Sequence, residues 1–276
     1  LFIIYLTVFA VVLVSLGLAQ YYLIQRSVRN GIKNELRNTT QVILGMVEAT
    51  TDSTIRSYLR AIAEKNLEIV KSIYGMYSRG EITEAEAWKR TVDILSSQKI
   101  GKTGYLYCIN TKGIINIHPI KSLIGTNLSG YPFVQHQMKF KNGYIQYEWK
   151  NPGEESERHK ALYMTYFAPW DLIISVSSYR EEFSNLVRVE DFRDKVLSLK
   201  FGKTGYSYII DTLGNIIIHP HITGNYLNAT SSDGTGFIKK MIENKSGEII
   251  YAWKNPGEKK ARDKLVIYNY IPDLGW

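Results

Sequence analysis

The sequence predicts an α+β protein, built from an apolar N-terminal helix, a long amphipathic helix and two related units that each contain an antiparallel sheet of about five strands. Three observations predict it. The first 25 residues carry no charged side chain. Apolar residues then recur at every third or fourth position over 55–77, which is the period of a helix face. From residue 100 onward, three short motifs occur twice in the same order, which indicates a repeated structural unit.

The uncharged segment Leu1–Gln25 is long enough to cross a bilayer as a helix, at about 1.5 Å per residue. We interpret it as a transmembrane anchor. The alternative is a secretory signal peptide, because Gly17-Leu18-Ala19 weakly resembles a cleavage site. The apolar stretch is longer than a typical signal core, which favours the anchor. Because the chain begins with Leu rather than Met, we expect it to be a piece of a longer protein.

Two helices are expected after the anchor. The first is long, and one of its faces is apolar apart from a single asparagine. That face consists of Ile55, Leu59, Ile62, Asn66, Ile69, Ile73 and Tyr77. Gly80 is expected to end this helix. Thr83, with Glu86 three positions later, forms a capping box that begins the second helix, which runs to about Ser97.

Three motifs then recur along the chain. They read Gly-Lys-Thr-Gly-Tyr, His-Pro and Trp-Lys-Asn-Pro-Gly-Glu. The matching segments are 100–107 with 201–208, 118–119 with 219–220, and 149–154 with 253–258. Each copy is therefore one structural unit of about 80 residues.

Each copy is predicted to consist mostly of strands. In the first copy, 105–109 and 114–118 flank Asn110-Thr-Lys-Gly113, which fits a type I turn and hence a hairpin. Three further strands are predicted at 144–149, 162–167 and 172–177.

The second copy stops at Trp276, which matches Trp170 of the first copy. Its last strand is therefore missing from this sequence. Because a sheet that lacks a strand has an exposed edge, we expect the natural protein to continue.

Composition excludes several classes of function. The formal charge of +8, from 34 basic and 26 acidic residues, is scattered and forms no Arg/Lys tract with interleaved aromatics. We therefore expect no nucleic-acid partner. The single cysteine, Cys108, excludes an internal disulfide and a cysteine metal cluster.

The motifs of common enzymes are also missing. Gly-Lys-Thr resembles part of a phosphate-binding loop, but Ser96 and Leu197 replace the required earlier glycine, and a strand follows where a helix is needed. His219-Pro-His221 suggests a metal, but the first copy has Ile120 at the last position. We expect no enzyme activity in this region, no catalytic residue, no metal and no cofactor.

The ordered motifs, together with the long helix and the capped second helix, resemble the Cache family of extracellular sensor domains over roughly 55–276. The resemblance implies PAS-like folds in a tandem (double) Cache arrangement, in a bacterial or archaeal transmembrane receptor that is a chemoreceptor or a sensor histidine kinase. It also implies an extracellular or periplasmic position, small organic acids or amino acids as ligands, and an output module beyond a second membrane helix.

On this basis we divide the chain into four parts. The divisions are an anchor over 1–25, the long and second helices over 26–97, a first Cache domain over 98–179, and a second, truncated Cache domain over 180–276.

Each copy also offers the groups that a small anion needs, namely a cation and several hydrogen-bond donors in a pocket that excludes water. A lysine supplies the charge, tyrosines and a histidine supply donors, and a tryptophan supplies an apolar wall. The first copy contains Tyr105, Tyr107, His118, Trp149, Lys160 and Tyr163. The second copy contains Tyr206, Tyr208, His219, Trp253, Lys264 and Tyr268. The alternatives are tyrosines in the sheet core, histidines bonded to backbone, solvated lysines and tryptophans that are purely structural.

The sequence thus predicts the ligand-sensing region of a transmembrane signalling receptor in the cell membrane, with a small organic anion as ligand. The alternative is a non-signalling surface or adhesion module on the same anchor. A homodimer is expected through the helix before Ile55, because Val28, Ile32 and Leu36 form an apolar stripe.

Overall fold

The computed structural model of the protein describes residues 2–232 and 234–276, and it contains helices and antiparallel strands in mixed order. The helices are α1 (Phe2–Ser78), α2 (Glu84–Ser96), α3 (Pro132–Phe140), α4 (Glu190–Ser198) and α5 (Phe237–Asn244). The strands of the first copy are β1 (Lys99–Ile100), β2 (Gly104–Ile109), β3 (Ile115–Ile117), β4 (Gly143–Trp149), β5 (Arg158–Phe167) and β6 (Leu172–Tyr179). Those of the second are β7 (Lys200–Phe201), β8 (Gly205–Tyr206), β9 (Ile209–Ile210), β10 (Ile216–Ile218), β11 (Gly247–Trp253) and β12 (Arg262–Tyr268).

The apolar segment and the amphipathic segment form one continuous helix, α1, of 77 residues. An 18-residue window of α1 near the N-terminus has a mean hydropathy of 2.6 and is unburied, so the helix is long and apolar enough to cross a membrane by length and composition. The helix ends as expected. Gly80 takes a left-handed φ of +74°, and its N–H donates to the carbonyl of Tyr77.

The predicted start of the second helix is confirmed. The Thr83 hydroxyl accepts a hydrogen bond from the backbone N–H of Glu86, and the Glu86 carboxylate accepts one from the backbone N–H of Thr83. These bonds satisfy two of the amide groups that a helix start leaves without partners.

The chain divides into two compact units. The first-repeat unit comprises Glu48–Arg188 and Pro272–Leu274. The second-repeat unit comprises the chain through Val47, Val189–Ile271 and Gly275–Trp276. They are described separately below.

The first-repeat unit is built on a six-stranded antiparallel sheet in the order β1-β2-β6-β5-β4, with β3 paired to β2. The sequence predicted about five strands. The sixth is β1, a two-residue strand that pairs with the start of β2 and is too short to show a pattern in sequence. The predicted hairpin is confirmed, since Gly113 donates to the carbonyl of Asn110 across the turn.

One face of this sheet packs against α1. Ile55, Leu59, Ala63 and Val70 of the helix are fully buried there. The predicted positions 62 and 69 are only half-buried, because the 3.6-residue period moves the centre of the face by one position. Asn66 is buried at the same interface. Its amide exchanges two hydrogen bonds with Gln98, at 3.0 and 2.6 Å, so the polar exception is satisfied.

The other face of the sheet is covered by α3 and the loops around it, and it carries the candidate site. Side chains on a strand alternate between faces. Tyr105 and Tyr107 of β2, Lys160 of β5 and Ser175 and Ser177 of β6 therefore share this face.

The second-repeat unit has the same motifs in shorter pairings. β11 pairs with β12 over seven residues, β9 with β10, and β7 with β8. In the first-repeat unit β6 lies between β2 and β5, but the described residues supply no strand between β9 and β12. α5 packs on β11 through Phe237, which stacks on Tyr251 with ring centroids 3.9 Å apart.

Candidate ligand-binding site

Lys160 is the centre of the site in the first-repeat unit. Its side chain is completely buried. It lies on β5 between Tyr147 of β4 and Tyr179 of β6. Its ammonium donates to the side-chain oxygen of Asn151 over 3.0 Å and lies 4.2 Å from the ring centroid of Tyr105. Lys160 belongs to none of the ion pairs among the described residues.

Burial lowers the pKa of Lys160 to about 7, and the carboxylates of Glu154 and Glu182, which form no ion pair with it, only partly oppose this effect. Desolvation disfavours the charged form of a lysine that has no close counterion. An anion placed next to the amine would reverse that effect. The solvated-lysine alternative is wrong for Lys160.

His118 and Tyr105 lie together beside the lysine, with ring centroids 4.9 Å apart. Burial lowers the pKa of His118 to about 4, so the ring is neutral at physiological pH. Its Nδ1 atom accepts a hydrogen bond from the backbone N–H of Ile120 at 2.9 Å, so the ring proton sits on Nε2, which can donate to another group. Burial also raises the pKa of Tyr105 to about 12, so its phenol keeps its proton.

Tyr107 belongs to a polar group that the sequence did not indicate. The Gln137 amide donates to the Tyr107 hydroxyl over 2.9 Å, and the Ser175 hydroxyl donates to the Gln137 carbonyl over 2.7 Å. Ser177 and Tyr147 lie on the same face. The Ser177 hydroxyl is buried and makes no hydrogen bond of good geometry within the described part of the chain. Burial raises the pKa of the neighbouring Tyr147 phenol well above its usual value, and the Ser177 hydroxyl opposes this only in part.

A loop between β4 and β5 covers the lysine. The backbone N–H of Asn151 donates to the Tyr179 hydroxyl at 3.0 Å and to the carboxylate of Glu154 at 2.9 Å. The Arg158 guanidinium lies 3.5 Å from the Tyr179 ring centroid and pairs with Glu154 and with Glu181. A ligand that reaches Lys160 from this side must displace the loop.

Trp149 forms part of an aromatic wall near this loop. Its ring centroid is 5.2 Å from that of Phe133 and 5.5 Å from that of Tyr131. Phe133 in turn stacks on Tyr147 at 4.2 Å.

The structure does not bring Tyr163 to the site. It is three residues from Lys160 on the same strand, so it points to the opposite face and packs against the cluster around α1. The residues that sequence reasoning missed are Gln137, Tyr147, Asn151, Ser175, Ser177 and Tyr179. Of these, Asn151 had a usable signal, because it lies within a repeated motif.

The second-repeat unit repeats the lysine cluster. Lys264 donates to the hydroxyl of Tyr206 at 2.7 Å and to the side-chain oxygen of Asn255 at 2.6 Å. Burial lowers its pKa to about 8. His219 lies 4.8 Å from the Tyr206 ring, and burial lowers its pKa to about 4. Its Nδ1 accepts from the backbone N–H of His221 at 2.9 Å, as Nδ1 of the first-copy histidine does from Ile120.

Two cavities lie in the second-repeat unit. A small one of about 20 Å³ is lined by four predicted residues, Tyr206, Tyr208, His219 and Trp253. At this volume it holds about one water molecule. A larger one of about 160 Å³ is mostly apolar and lies between β9 and β12, with Tyr268 in its wall.

Metal ligands do not cluster in the part of the chain that the structure describes, where no group of three or more His, Cys, Asp or Glu side chains is close enough to hold an ion. His219 and His221 have ring centroids 5.9 Å apart. Cys108 is fully buried in the core, and burial raises the pKa of its thiol.

Comparison with known proteins finds a similar sequence in a curated sensor protein. Sensor histidine kinase MctS of Rhizobium johnstonii is 33% identical over 86 residues, which are 29% of this chain and 19% of that protein. The chain thus spans about a fifth of the length of this curated relative.

Several solved structures are similar to this chain at low sequence identity. A periplasmic sensor domain of a chemotaxis protein is 24% identical with a TM-score of 0.42, and the alignment covers 46% of this chain and 96% of that one. A Cache chemosensory domain solved to explain carboxylic acid recognition is 20% identical with a TM-score of 0.36, over 45% of this chain and 96% of that one. The ligand-binding domain of the amino acid chemoreceptor PctB of Pseudomonas aeruginosa PAO1, in complex with L-Gln, is 20% identical with a TM-score of 0.29, over 41% and 45%.

A family model described as "Cache domain" matches residues 23–276. The match includes both copies of the repeated motifs, the second helix and the part of α1 from residue 23 onward. The chain therefore belongs to the Cache domain family.

Proposed function

We propose that this chain is the ligand-sensing region of a membrane-anchored signalling receptor, and that its first-repeat site binds a small organic anion. One observation carries the proposal: Lys160 is completely buried among neutral partners, without a carboxylate in contact. Cache sensory domains are non-catalytic, so a kinase activity, if the receptor has one, would belong to another part of it.

A buried cation without a counterion is costly, so a native lysine in this position needs a compensating interaction. Asn151 and the faces of two tyrosine rings supply only part of it. The Nε2 proton of His118 is a further donor beside the amine, and the Tyr105 phenol donates to the same Asn151 oxygen over 3.4 Å. A cation with a neighbouring neutral donor and no carboxylate in contact with it is the chemistry that recognises a carboxylate.

The expected affinity is limited by the size of the ligand. The best small ligands gain about 1.5 kcal/mol per non-hydrogen atom. A four-atom acid would then gain about 6 kcal/mol, which corresponds to a dissociation constant of tens of micromolar.

The test is binding to the full chain in lipid nanodiscs, with short monocarboxylates, dicarboxylates and amino acids as probes in calorimetry. Lys160→Met keeps the length of the side chain but removes the charge. Removing one partner of a buried ionic hydrogen bond costs about 2–5 kcal/mol, so affinity should fall at least thirtyfold. Lys139→Met, at an exposed position on α3, is the matched control and should bind as the natural chain does.

Binding of an acid to the Lys160→Met variant within about twofold of the natural affinity would contradict the assignment. A panel in which no carboxylate binds would contradict the proposed function as a whole.

Signalling is proposed from the anchor and the helix together. α1 contains both the segment apolar enough to span a membrane and the face that packs on the back of the sheet that carries the site. The relative MctS is named a sensor histidine kinase, which supports a receptor over a passive surface module. We also infer the division into an anchor, two helices and two Cache domains, and the position of those domains outside the cytoplasm.

A further inference from the structure

Gln137 is completely buried above the face of the sheet that carries Lys160. Both ends of its amide are held by residues of the sheet, because it donates to Tyr107 at 2.9 Å and accepts from Ser175 at 2.7 Å. Tyr107 and Ser175 are directly paired across β2 and β6. The amide therefore bridges two neighbouring strands from α3.

This bridge determines how the Tyr107 hydroxyl is used. A phenol has a single proton, and its oxygen here already accepts from Gln137. The proton is left for another oxygen, and the hydroxyls of Tyr147 and Ser175 lie within hydrogen-bonding reach of it. The Tyr147 phenol and the Ser177 hydroxyl lie nearby, and the Ser177 hydroxyl is buried without a well-formed hydrogen bond in the described part of the chain. This face thus holds a cluster of hydroxyl groups, of which Ser177 has unused hydrogen-bonding capacity in the described part of the chain.

These hydroxyls are close to the lysine in the sheet. Tyr147 is the β4 residue paired with Lys160, and Ser177 is two residues from Tyr179, the β6 residue paired with it. Successive same-face residues of a strand are about 6.6–6.8 Å apart. A short acid bound at Lys160 therefore has its second or third carbon within reach of them.

The second repeat provides an internal comparison. Met241 occupies the place on α5 that Gln137 occupies on α3. In each case the residue's carbonyl accepts a hydrogen bond from the backbone N–H of the lysine that ends the helix with a positive φ, Lys141 or Lys245. The Tyr208 hydroxyl contacts the Met241 sulfur at 3.8 Å where Tyr107 contacts an amide, while Tyr251 lies beside Tyr208 as Tyr147 does beside Tyr107. The lysine, tyrosine, histidine and asparagine of the site are the same in both copies. The residue at the place of Gln137 therefore differs between two otherwise similar clusters.

We propose that Gln137 is a specificity-determining positioning residue, which turns the Tyr107 hydroxyl toward the site so that the site prefers an anion with a neutral oxygen beside its carboxylate. The inference rests on the proposed function, since it places that carboxylate at Lys160. The favoured class is a short hydroxy or keto acid. An ammonium group at the same position is disfavoured, because it would lie near the Lys160 cation and beside hydroxyls instead of a carboxylate.

The test uses four acids with three carbons that differ only at the second carbon: propionate, L-lactate, pyruvate and L-alanine. Binding to the full chain in nanodiscs is measured by calorimetry. One added hydrogen bond is expected to make lactate or pyruvate bind about three- to tenfold more tightly than propionate. Alanine should bind more weakly than propionate.

Two variants test the residue. Gln137→Met introduces the residue found in the second repeat. It should lower the affinity for lactate to that for propionate, while the affinity for propionate changes less than twofold. Gln137→Glu keeps the size and the acceptor for Ser175, but it accepts the Tyr107 proton, so it should also lose the preference. Met241→Gln, in the other unit, should leave all four affinities unchanged. Thermal unfolding checks that each variant is folded.

Equal affinities for propionate and lactate in the natural chain would overturn the inference and leave the proposed function intact, provided that binding depends on Lys160. A preference that survives in Gln137→Glu, or an equal loss of both acids in the folded Gln137→Met chain, would show that Gln137 only fills space. If no acid binds at all, the proposed function fails and this inference fails with it.

Discussion

At the scale of single residues, Lys160 shows how the surroundings of a side chain decide its chemistry. Lysine usually extends its amine to water. Here the side chain is completely buried between aromatic rings, and its amine has one neutral hydrogen-bond acceptor. The same residue type lies at the equivalent place in the other copy, where Lys264 is half-buried and donates to two neutral oxygens. Two independent copies of a poorly compensated cation are hard to explain by stability alone.

Ligand binding should depend on pH because of this lysine. Its pKa is about 7 in the free protein, so the ammonium is present below that pH and is lost as the pH rises through it. An anion requires the ammonium, so above pH 7 binding must take up a proton. We expect the affinity for a carboxylate to fall by about tenfold per pH unit between pH 7.5 and 9 and to be nearly constant between pH 5.5 and 6.5.

Calorimetry in buffers of different ionisation enthalpy would measure this proton uptake directly. His118 stays neutral over the whole range, because its pKa is about 4. The Lys264→Met variant should keep the same pH profile. A profile that is flat from pH 6 to 9 would show that Lys160 is not the ionising group.

At the scale of secondary-structure elements, the sequence predicted the parts with local signals. Three such features depend on a few adjacent residues, and the structure contains each of them. They are the capping box at Thr83, the helix end at Gly80 and the hairpin turn that ends at Gly113. Helices α3, α4 and α5 were not predicted. They are short, and Gln137 interrupts the apolar face of α3 with a buried polar residue whose partners lie elsewhere in the chain.

The sequence predicted part of the candidate site. The repeated motifs identified Tyr105, Tyr107, His118 and Lys160, which the fold brings to one face. Tyr163 was placed wrongly because its distance from Lys160 in sequence was treated as nearness in space, although an odd spacing on a strand reverses the face. Ser175 and Ser177 could not be chosen from sequence, since their function depends on which strands are neighbours.

A buried charge network ties α1 to the strands of the first-repeat unit. The Arg180 guanidinium, next to the end of β6, pairs with Asp52 of α1 at 2.8 Å and with Asp273 at 2.9 Å, and it also donates to the Tyr144 hydroxyl on β4. Arg180 is 5% exposed, so the loss of a partner leaves a charge poorly compensated.

Asp52→Asn should therefore lower the free energy of unfolding by about 1–3 kcal/mol, with Asp273 keeping the loss below that of a wholly unpaired charge. Urea unfolding of the full chain in nanodiscs, followed by tryptophan fluorescence, measures it. The matched control is Glu64→Gln, which breaks the exposed Arg60–Glu64 pair on the same helix and should cost less than about 0.5 kcal/mol. Equal effects of the two substitutions would mean that the network does not hold α1 to the sheet.

At the scale of the whole molecule, one helix contains both the segment that is apolar enough to span a membrane and the face that packs on the sheet with the candidate site. A ligand that changes the spacing of β5, β6 and their loop would bias the position of α1 through the shared core and through Arg180. Couplings of this kind are typically about 1–3 kcal/mol, so a small displacement of the helix is enough to shift a two-state equilibrium. In a receptor, a displacement of α1 can be transmitted as a movement relative to a second helix, such as α1 of another copy of the chain.

Dimerisation through the early part of α1 is therefore the last prediction. Val28 and Ile32 are 57% and 48% exposed, which leaves an apolar stripe without cover in the single chain, whereas Leu36 lines the larger cavity of the second-repeat unit. Cysteines introduced as Val28→Cys or Ile32→Cys should form disulfide-linked dimers in membranes under mild oxidation, and the buried Cys108 should stay unreactive. Asn30→Cys places the thiol on the opposite side of the helix, at about 200° from residue 28, and should link much more slowly. Dimers that form equally fast from all three positions would indicate random collision, and their absence at Val28 and Ile32 would mean that the stripe faces lipid headgroups or another protein.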